Sequence, residues 1–275
     1  DFIRIPSVSA AKEHFDDVVR AGNWVVRRLQ QAGITNARMM ETASHPIVYG
    51  DWLQAGHDKP TVLIYGHFDV QPADPLDLWD SPPFDPIVVD GTVRGRGASD
   101  DKGGMLIPIL AAEALLTSEG KLPVNVKFFF EGQEEIGSPT LKAFITDNSN
   151  LLKADVIFSA DGGQWSEDQP SMTIGLKGLV GCELTVNGAN SDQHSGMQGG
   201  GIANPIHVLS HIIASMKDVN GDIKVTGFYD DVVELSVHDR QSIAKVPFDE
   251  DAYIQELGIP NVFGETGFTT RERLW

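Results

Sequence analysis

One imidazole and six carboxylates stand at or just beyond the ends of apolar, strand-like runs: His67 and Asp69, Asp100 and Asp101, Glu134 and Glu135, and Asp161 ahead of Gly162-Gly163. Hard or borderline divalent cations accept such a mixed nitrogen and oxygen donor set, and a pair of them can activate water for hydrolysis. Brought by different strands to one edge of a sheet, the four clusters read as a two-metal hydrolase centre.

Each cluster has its own chemistry. Thr61 to Gly66 runs directly into His67, so the imidazole emerges where a buried strand ends. In extended chain, two-residue spacing puts Asp69 on the same side, where its carboxylate can hold the ring Nδ1–H while Nε2 faces a metal. Arg94 to Gly104 is glycine-rich and leads into a helix, but it lacks the Gly-x4-Gly-Lys-Ser/Thr of a phosphate loop. Asp100 stands where a dinucleotide fingerprint needs its third glycine, and a carboxylate there repels phosphate. Alone, Asp100 and Asp101 would cap the helix; with His67 upstream, Asp100 becomes a ligand able to bridge two cations. Glu134 and Glu135 follow the β-prone run Val124 to Phe130, and neighbouring glutamates can face apart, one on metal and one carrying a proton. Glu131 reads as part of a solvated turn. Asp161 closes Ala154 to Ala160 and, taken alone, would be a turn residue. The conjunction carries the metal reading.

Elements that could position these clusters alternate along the chain. A helical period over 11–32 stops at Gly33, and strands are expected at Ile47 to Leu53, Thr61 to Tyr65, Val124 to Phe130 and Val156 to Ser159. Between the second and third strands, Met105 to Leu116 is helical with Pro108 inside it, and Ser138-Pro139 reads as the N-cap and first residue of a helix through Ile145. The pattern predicts an α/β fold with a mixed, mostly parallel sheet flanked by helices. After Ser171 the style changes to a β-rich run, Met172 to Val186, then a Gly-rich loop and a helix from Asn204 to Met216. That places a boundary near Gly175, giving domains 1–175 and 176–275.

The 275 residues carry 39 Asp and Glu against 21 Lys and Arg, a formal net charge of −18, and no basic cluster that could neutralise phosphates, which argues against nucleic acid as a partner. The single cysteine, Cys182, rules out an intramolecular disulfide or a Cys-type zinc finger and reads as a buried thiol in a strand. No apolar run matches a bilayer span and no secretory pattern opens the chain, so no membrane association and a cytoplasmic location are expected. The chain starts at Asp1 without a Met and closes at Trp275, and it reads as a fragment.

Five segments together resemble the M20 metallopeptidases, the family of carnosinase-like dipeptidases, glutamate carboxypeptidases, aminoacylases and succinyl-diaminopimelate desuccinylase. They are Gly66 to Pro72, Trp79 to Phe84, Gly95 to Gly103, Glu131 to Ser138 and Ser159 to Asp161; Trp79 to Phe84 and Asp192 to Gly196 look most like the dipeptidase branch. The resemblance implies a zinc exopeptidase-like catalytic domain followed by the start of an inserted α+β lid and dimerisation domain. It implies one Zn2+ on His67, Asp100 and Asp161 and a second on Asp100 and Glu135, with Mn2+ or Co2+ as substitutes. It further implies Glu134 as general base, Asp69 orienting His67, a cis peptide between Asp100 and Asp101, and His194 as the lid histidine that stabilises an oxyanion, often in a neighbouring subunit. The family's late histidine for the second metal has no match here; His207, His211 and His238 lie in lid-like segments. The expected protein is thus a zinc-dependent dipeptidase acting on small peptides as a homodimer, with this fragment alone inactive. An N-acyl-amino-acid deacylase or carboxypeptidase is the alternative within the family, and a non-catalytic, metal-stabilised dimerisation or binding module is the alternative outside it.

Overall fold

The structure is a computed structural model that describes residues 1–166, 168–173 and 175–274. Contacts divide it into two compact units, Asp1–Met172 and Thr173–Trp275.

The first unit is built on a five-stranded sheet. Its strands are β1 (Arg38–Met40), β2 (Ile47–Trp52), β3 (Thr61–His67), β6 (Asn125–Glu131) and β7 (Val156–Ser159), in the order β1-β2-β6-β3-β7. A separate hairpin, β4 (Ile87–Val89) and β5 (Thr92–Arg94), turns at Asp90-Gly91 with positive φ at both residues, the turn geometry that matches strand twist. β6 and β7 pair parallel with β3, β2 pairs antiparallel with β6, and β1 antiparallel with β2, so β2 alone runs against the other four. The mixed, mostly parallel sheet is as expected. All seven residues of β6 are buried, as a strand covered on both faces must be.

Strict alternation divides the core. Val126, Phe128 and Phe130 face a cluster with α1 (Phe15–Gln31) and α2 (Lys102–Glu119). Phe129 joins Ile47, Tyr49 and Leu63 on the other face, against α3 (Leu141–Asp147) and α4 (Ser149–Leu152) through Phe144 and Leu152. Helix α1 buries Val18, Ala21, Val25 and Leu29, the stripe its period predicts. Helix α2 starts three residues before the expected Met105, contains Pro108, and ends at Gly120 in the left-handed region.

Three expectations are corrected. The helix expected at Ser138-Pro139 begins at Leu141 with Thr140 before it, because Ser138 adopts φ +50, outside helical geometry, and its hydroxyl donates to Glu131 Oε1 at 3.0 Å. The expected strand over Met172 to Val186, of which Ile174 lies outside the described residues, does not form: among the described residues no strand follows β7, and Leu176 and Leu179 are almost wholly exposed. A strand needs an edge to pair with, and no described segment of that unit supplies one. Cys182 is accordingly exposed rather than buried.

The second unit is helical: α5 (Ser195–Gln198), α6 (Pro205–Ser215), α7 (Val237–Ala244), α8 (Glu250–Leu257) and α9 (Thr270–Arg273). Asn204 caps α6 with Pro205 at its first position, and reciprocal capping boxes open α7 (Ser236 with Asp239) and α9 (Thr269 with Glu272). A 2.8 Å ion pair between Arg240 and Glu272 ties α7 to α9. Among the described residues no helix is long and apolar enough to cross a membrane.

Candidate metal centre

His67 is the last residue of β3, flanked by two parallel neighbours, so it stands at the carboxyl edge of the sheet, where α/β folds place their ligands. Asp161 follows β7, whose exit is fixed by the Ala160 amide donating to the Tyr65 carbonyl at 2.7 Å. Asp100 arrives on the loop ahead of α2, and its peptide bond to Asp101 is cis. These paths converge: His67 Nε2 lies 2.9 Å from Asp100 Oδ1 and 3.8 Å from Asp161 Oδ2, and the three donor atoms lie within 4.8 Å of one another. The imidazole is fully enclosed, whereas the side chains of Asp100 and Asp161 are 66% and 38% exposed, so the group opens to solvent on its carboxylate side.

This donor set fits a divalent cation. Bonds of about 2.0–2.2 Å in tetrahedral geometry put ligand atoms roughly 3.3–3.5 Å apart, and the observed separations bracket that value. Tautomer and field agree with it. Nδ1 lies 3.1 Å from the Asp69 carbonyl oxygen, which only accepts, so Nδ1 carries a proton and Nε2 is the nitrogen turned toward Asp100 and Asp161 and able to bind a metal once its own proton is displaced. Burial alone would pull the His67 pKa down, but Asp69, Asp101 and Asp100 together push it up to about 10. The pocket thus favours positive charge at this point, and a metal would displace the proton that otherwise supplies it.

The Asp69 carboxylate lies beside the imidazole and has other partners as well. Its Oδ1 is 3.4 Å from Nδ1, farther than the backbone oxygen, and its two oxygens accept the amides of Glu134 (3.2 Å) and Glu135 (3.1 Å). The buried carboxylate thus also holds the 3-10 turn Glu134–Ile136. Within that turn, Glu135 does not join the His67, Asp100 and Asp161 group; its carboxylate accepts the Gln71 backbone amide at 3.2 Å and the Gln71 side-chain amide at 2.7 Å. Glu134 has its pKa raised, first by burial and then by the charges of Glu135 and Asp161, with His67 opposing. His194 belongs to the second unit, where it is the exposed N-cap of α5 and its Nδ1 accepts the Gly196 amide at 3.1 Å.

Several buried polar groups around this centre escaped the sequence reading. Glu131 is fully enclosed rather than solvated: Oε1 accepts from Tyr65 (2.7 Å) and Ser138 (3.0 Å), and Oε2 has no partner. It ends the alternation Lys127, Phe129, Glu131 along one face of β6, which was the available signal. Asp101 is also enclosed, accepting the His67 amide at 3.1 Å, and burial lifts its pKa to about 7. It fits because Gly66 and Gly104 have no side chains: a Cβ there would meet Asp101 oxygens at 2.6 and 2.2 Å. Lys102 is 1% exposed, and burial lowers its pKa to about 7. A cavity of about 560 Å³ lies elsewhere, lined by Thr42, Pro139, Thr140 and Phe144 among others.

Comparison with known proteins gives consistent results. The sequence pattern of Peptidase family M20/M25/M40 matches residues 63–264. The Cys-Gly metallodipeptidase of Schizosaccharomyces pombe is 36% identical over 249 residues, covering 85% of this chain and 52% of its own length. The human Beta-Ala-His dipeptidase is 34% identical over 232 residues, covering 84% and 46%. Among solved structures, an M20 family metallo-carboxypeptidase from Sulfolobus solfataricus superposes with a TM-score of 0.80 at 32% identity, covering 99% of this chain and 60% of that one. The chain spans about half the length of the curated relatives it matches.

Proposed function

The chain belongs to Peptidase family M20/M25/M40, and from that premise we propose that it is the metal-binding part of a metallopeptidase that hydrolyses dipeptides or short peptides. The observation that carries this reading is the convergence of His67, Asp100 and Asp161 on one point at the open edge of the sheet. These three residues hold the cation, for which zinc is the first choice and manganese or cobalt acceptable to the same donors.

A divalent cation held there supplies Lewis acidity, polarising the scissile carbonyl and making water more acidic. Glu134 takes the proton from the attacking water at its carboxylate and hands it to the leaving amine; its raised pKa suits both transfers. Asp69 keeps His67 in the Nδ1–H tautomer through its carbonyl and holds the Glu134 turn through its carboxylate. Glu135, with Asp100, would hold a second cation, using lone pairs beyond those it gives to Gln71. His194 donates to the developing oxyanion. The second unit serves as the lid and pairs with another copy through helices such as α6, whose Ile206 and Ile213 are exposed. With a second cation short of donors, this chain alone binds metal without turnover.

A carboxypeptidase is the second reading, favoured by the similarity to the Sulfolobus metallo-carboxypeptidase. In the full-length natural protein, assayed on a panel of dipeptides and N-acyl amino acids, Glu134→Ala should cut turnover at least about a hundredfold while metal content stays unchanged. Retained turnover would remove Glu134 from its role, and hydrolysis of acyl amino acids but not dipeptides would reject the dipeptidase reading. Metal binding with no turnover of any substrate by the wild type would favour a binding module.

A further inference from the structure

Residues Phe2 to Ser9 lie outside the family-matched region 63–264, yet they are stitched to both loops that carry the metal-centre residues. The Ser7 hydroxyl, fully buried, donates to the Phe68 carbonyl at 2.6 Å, the peptide oxygen between His67 and Asp69. The Val70 amide donates to the Ser7 carbonyl at 2.9 Å, and Val8 forms a parallel bridge with Val70. On its other side, the Phe68 amide donates to the Glu131 carbonyl at 2.8 Å, so the segment after His67 is held between β6 and the amino-terminal residues. The second loop is tied by Lys102, the first residue of α2, next to Asp101. Its Nζ donates to the carbonyls of Ile5 (2.6 Å) and Phe2 (3.3 Å) and sits 5.1 Å from the Phe2 ring centre. Phe2 stacks on Trp24 at 4.2 Å between centroids, and His45 Nε2 meets the Ser9 carbonyl at 3.0 Å, which anchors both ends.

We propose that this segment is a strap that sets the spacing of the His67 and Asp100 loops, with Ser7 and Lys102 as positioning residues for the cation. Packing alone would explain the burial of Phe2, Ile5 and Val8. It does not explain why a buried hydroxyl and a buried amine spend their hydrogen bonds joining this segment to the two loops that bear His67 and Asp100. Buried polar groups cost free energy unless partnered, and here the partnering fixes donor geometry. Neither residue belongs to the group His67, Asp100 and Asp161 that would hold the cation, so the effect travels through backbone position.

The inference rests on the metal reading above, and the test separates the two. Zinc dissociation constants of the whole chain are measured by competition with a chromophoric chelator, alongside the melting temperature of the metal-free protein. Ser7→Ala and Lys102→Met should each weaken zinc binding by about tenfold or more, the scale of outer-shell losses at metal sites, with binding weakened out of proportion to any fall in melting temperature. Zinc affinity within twofold of wild type in both variants would overturn the strap, and so would losses that appear only where the metal-free protein has ceased to fold. His67→Ala is the control: if it binds zinc as tightly as wild type, the metal reading itself fails and takes the strap with it.

Discussion

At the level of single residues, the centre combines an enclosed imidazole with carboxylates that remain open to solvent; of the buried polar neighbours, Asp69, Asp101 and Glu131 are acidic and Lys102 is tied to backbone carbonyls. Glu131 carries a consequence of that crowding. Burial raises its pKa above the usual glutamate value, and the hydrogen bonds from Tyr65 and Ser138 only partly offset the rise. A carboxyl group whose folded pKa exceeds its unfolded one contributes stability below about pH 4, its unfolded value, and loses it as pH rises through the folded value. Glu131→Gln keeps an acceptor for both hydroxyls and removes the charge. In metal-free protein, its stability relative to wild type, measured by urea denaturation, should therefore increase between pH 4 and pH 8. A difference that does not vary with pH would contradict this account. The residue types of the centre were legible from sequence because His67, Asp100 and Asp161 each follow an apolar strand or a helix entry. Glu131 was missed despite its place in the alternation of β6, since an acidic residue at a strand end reads the same whether it accepts from water or from a tyrosine hydroxyl.

At the level of elements, β3 and α2 pack so closely at the centre that Gly66 and Gly104 make room for the Asp101 carboxylate. Gly66→Ala would put a methyl 2.6 Å from Asp101 Oδ2 and 3.0 Å from Met105 Cβ, and both neighbours are buried. Overpacking of this kind costs about 1–3 kcal/mol. Gly163→Ala, with nothing within 4 Å, should stay within about 0.5 kcal/mol of wild type. Equal denaturation midpoints for the two variants would refute the packing argument. The four strands expected before Met172 formed from their apolar, β-prone runs with ends shifted by two residues at most, whereas the short β1, β4 and β5 were not anticipated. The helix start at Leu141 was hidden because Ser138 takes a left-handed conformation to reach Glu131, a long-range demand that local capping signals do not record. The missing strand after Met172 has a similar cause: β propensity describes a segment's fitness for a sheet, not the presence of an edge to join.

At the level of the whole molecule, the residues proposed for the chemistry belong to two different units. His67, Asp69, Asp100, Glu134, Glu135 and Asp161 lie in the first, and His194 lies in the second. The family was readable in the motifs because their glycines and carboxylates answer to a shared geometry. The pairing of Glu135 with Gln71 was not, since Gln71 lies 64 residues away in sequence. The account stands on His67 as a metal ligand among carboxylates, and zinc K-edge X-ray absorption on the chain loaded with a single equivalent of zinc addresses that directly. The expected spectrum has nitrogen and oxygen scatterers at about 2.0–2.2 Å, imidazole outer-shell scattering that disappears in His67→Ala, and no sulfur near about 2.3 Å. A sulfur shell from Cys182, or an imidazole signal unchanged by His67→Ala, would contradict it.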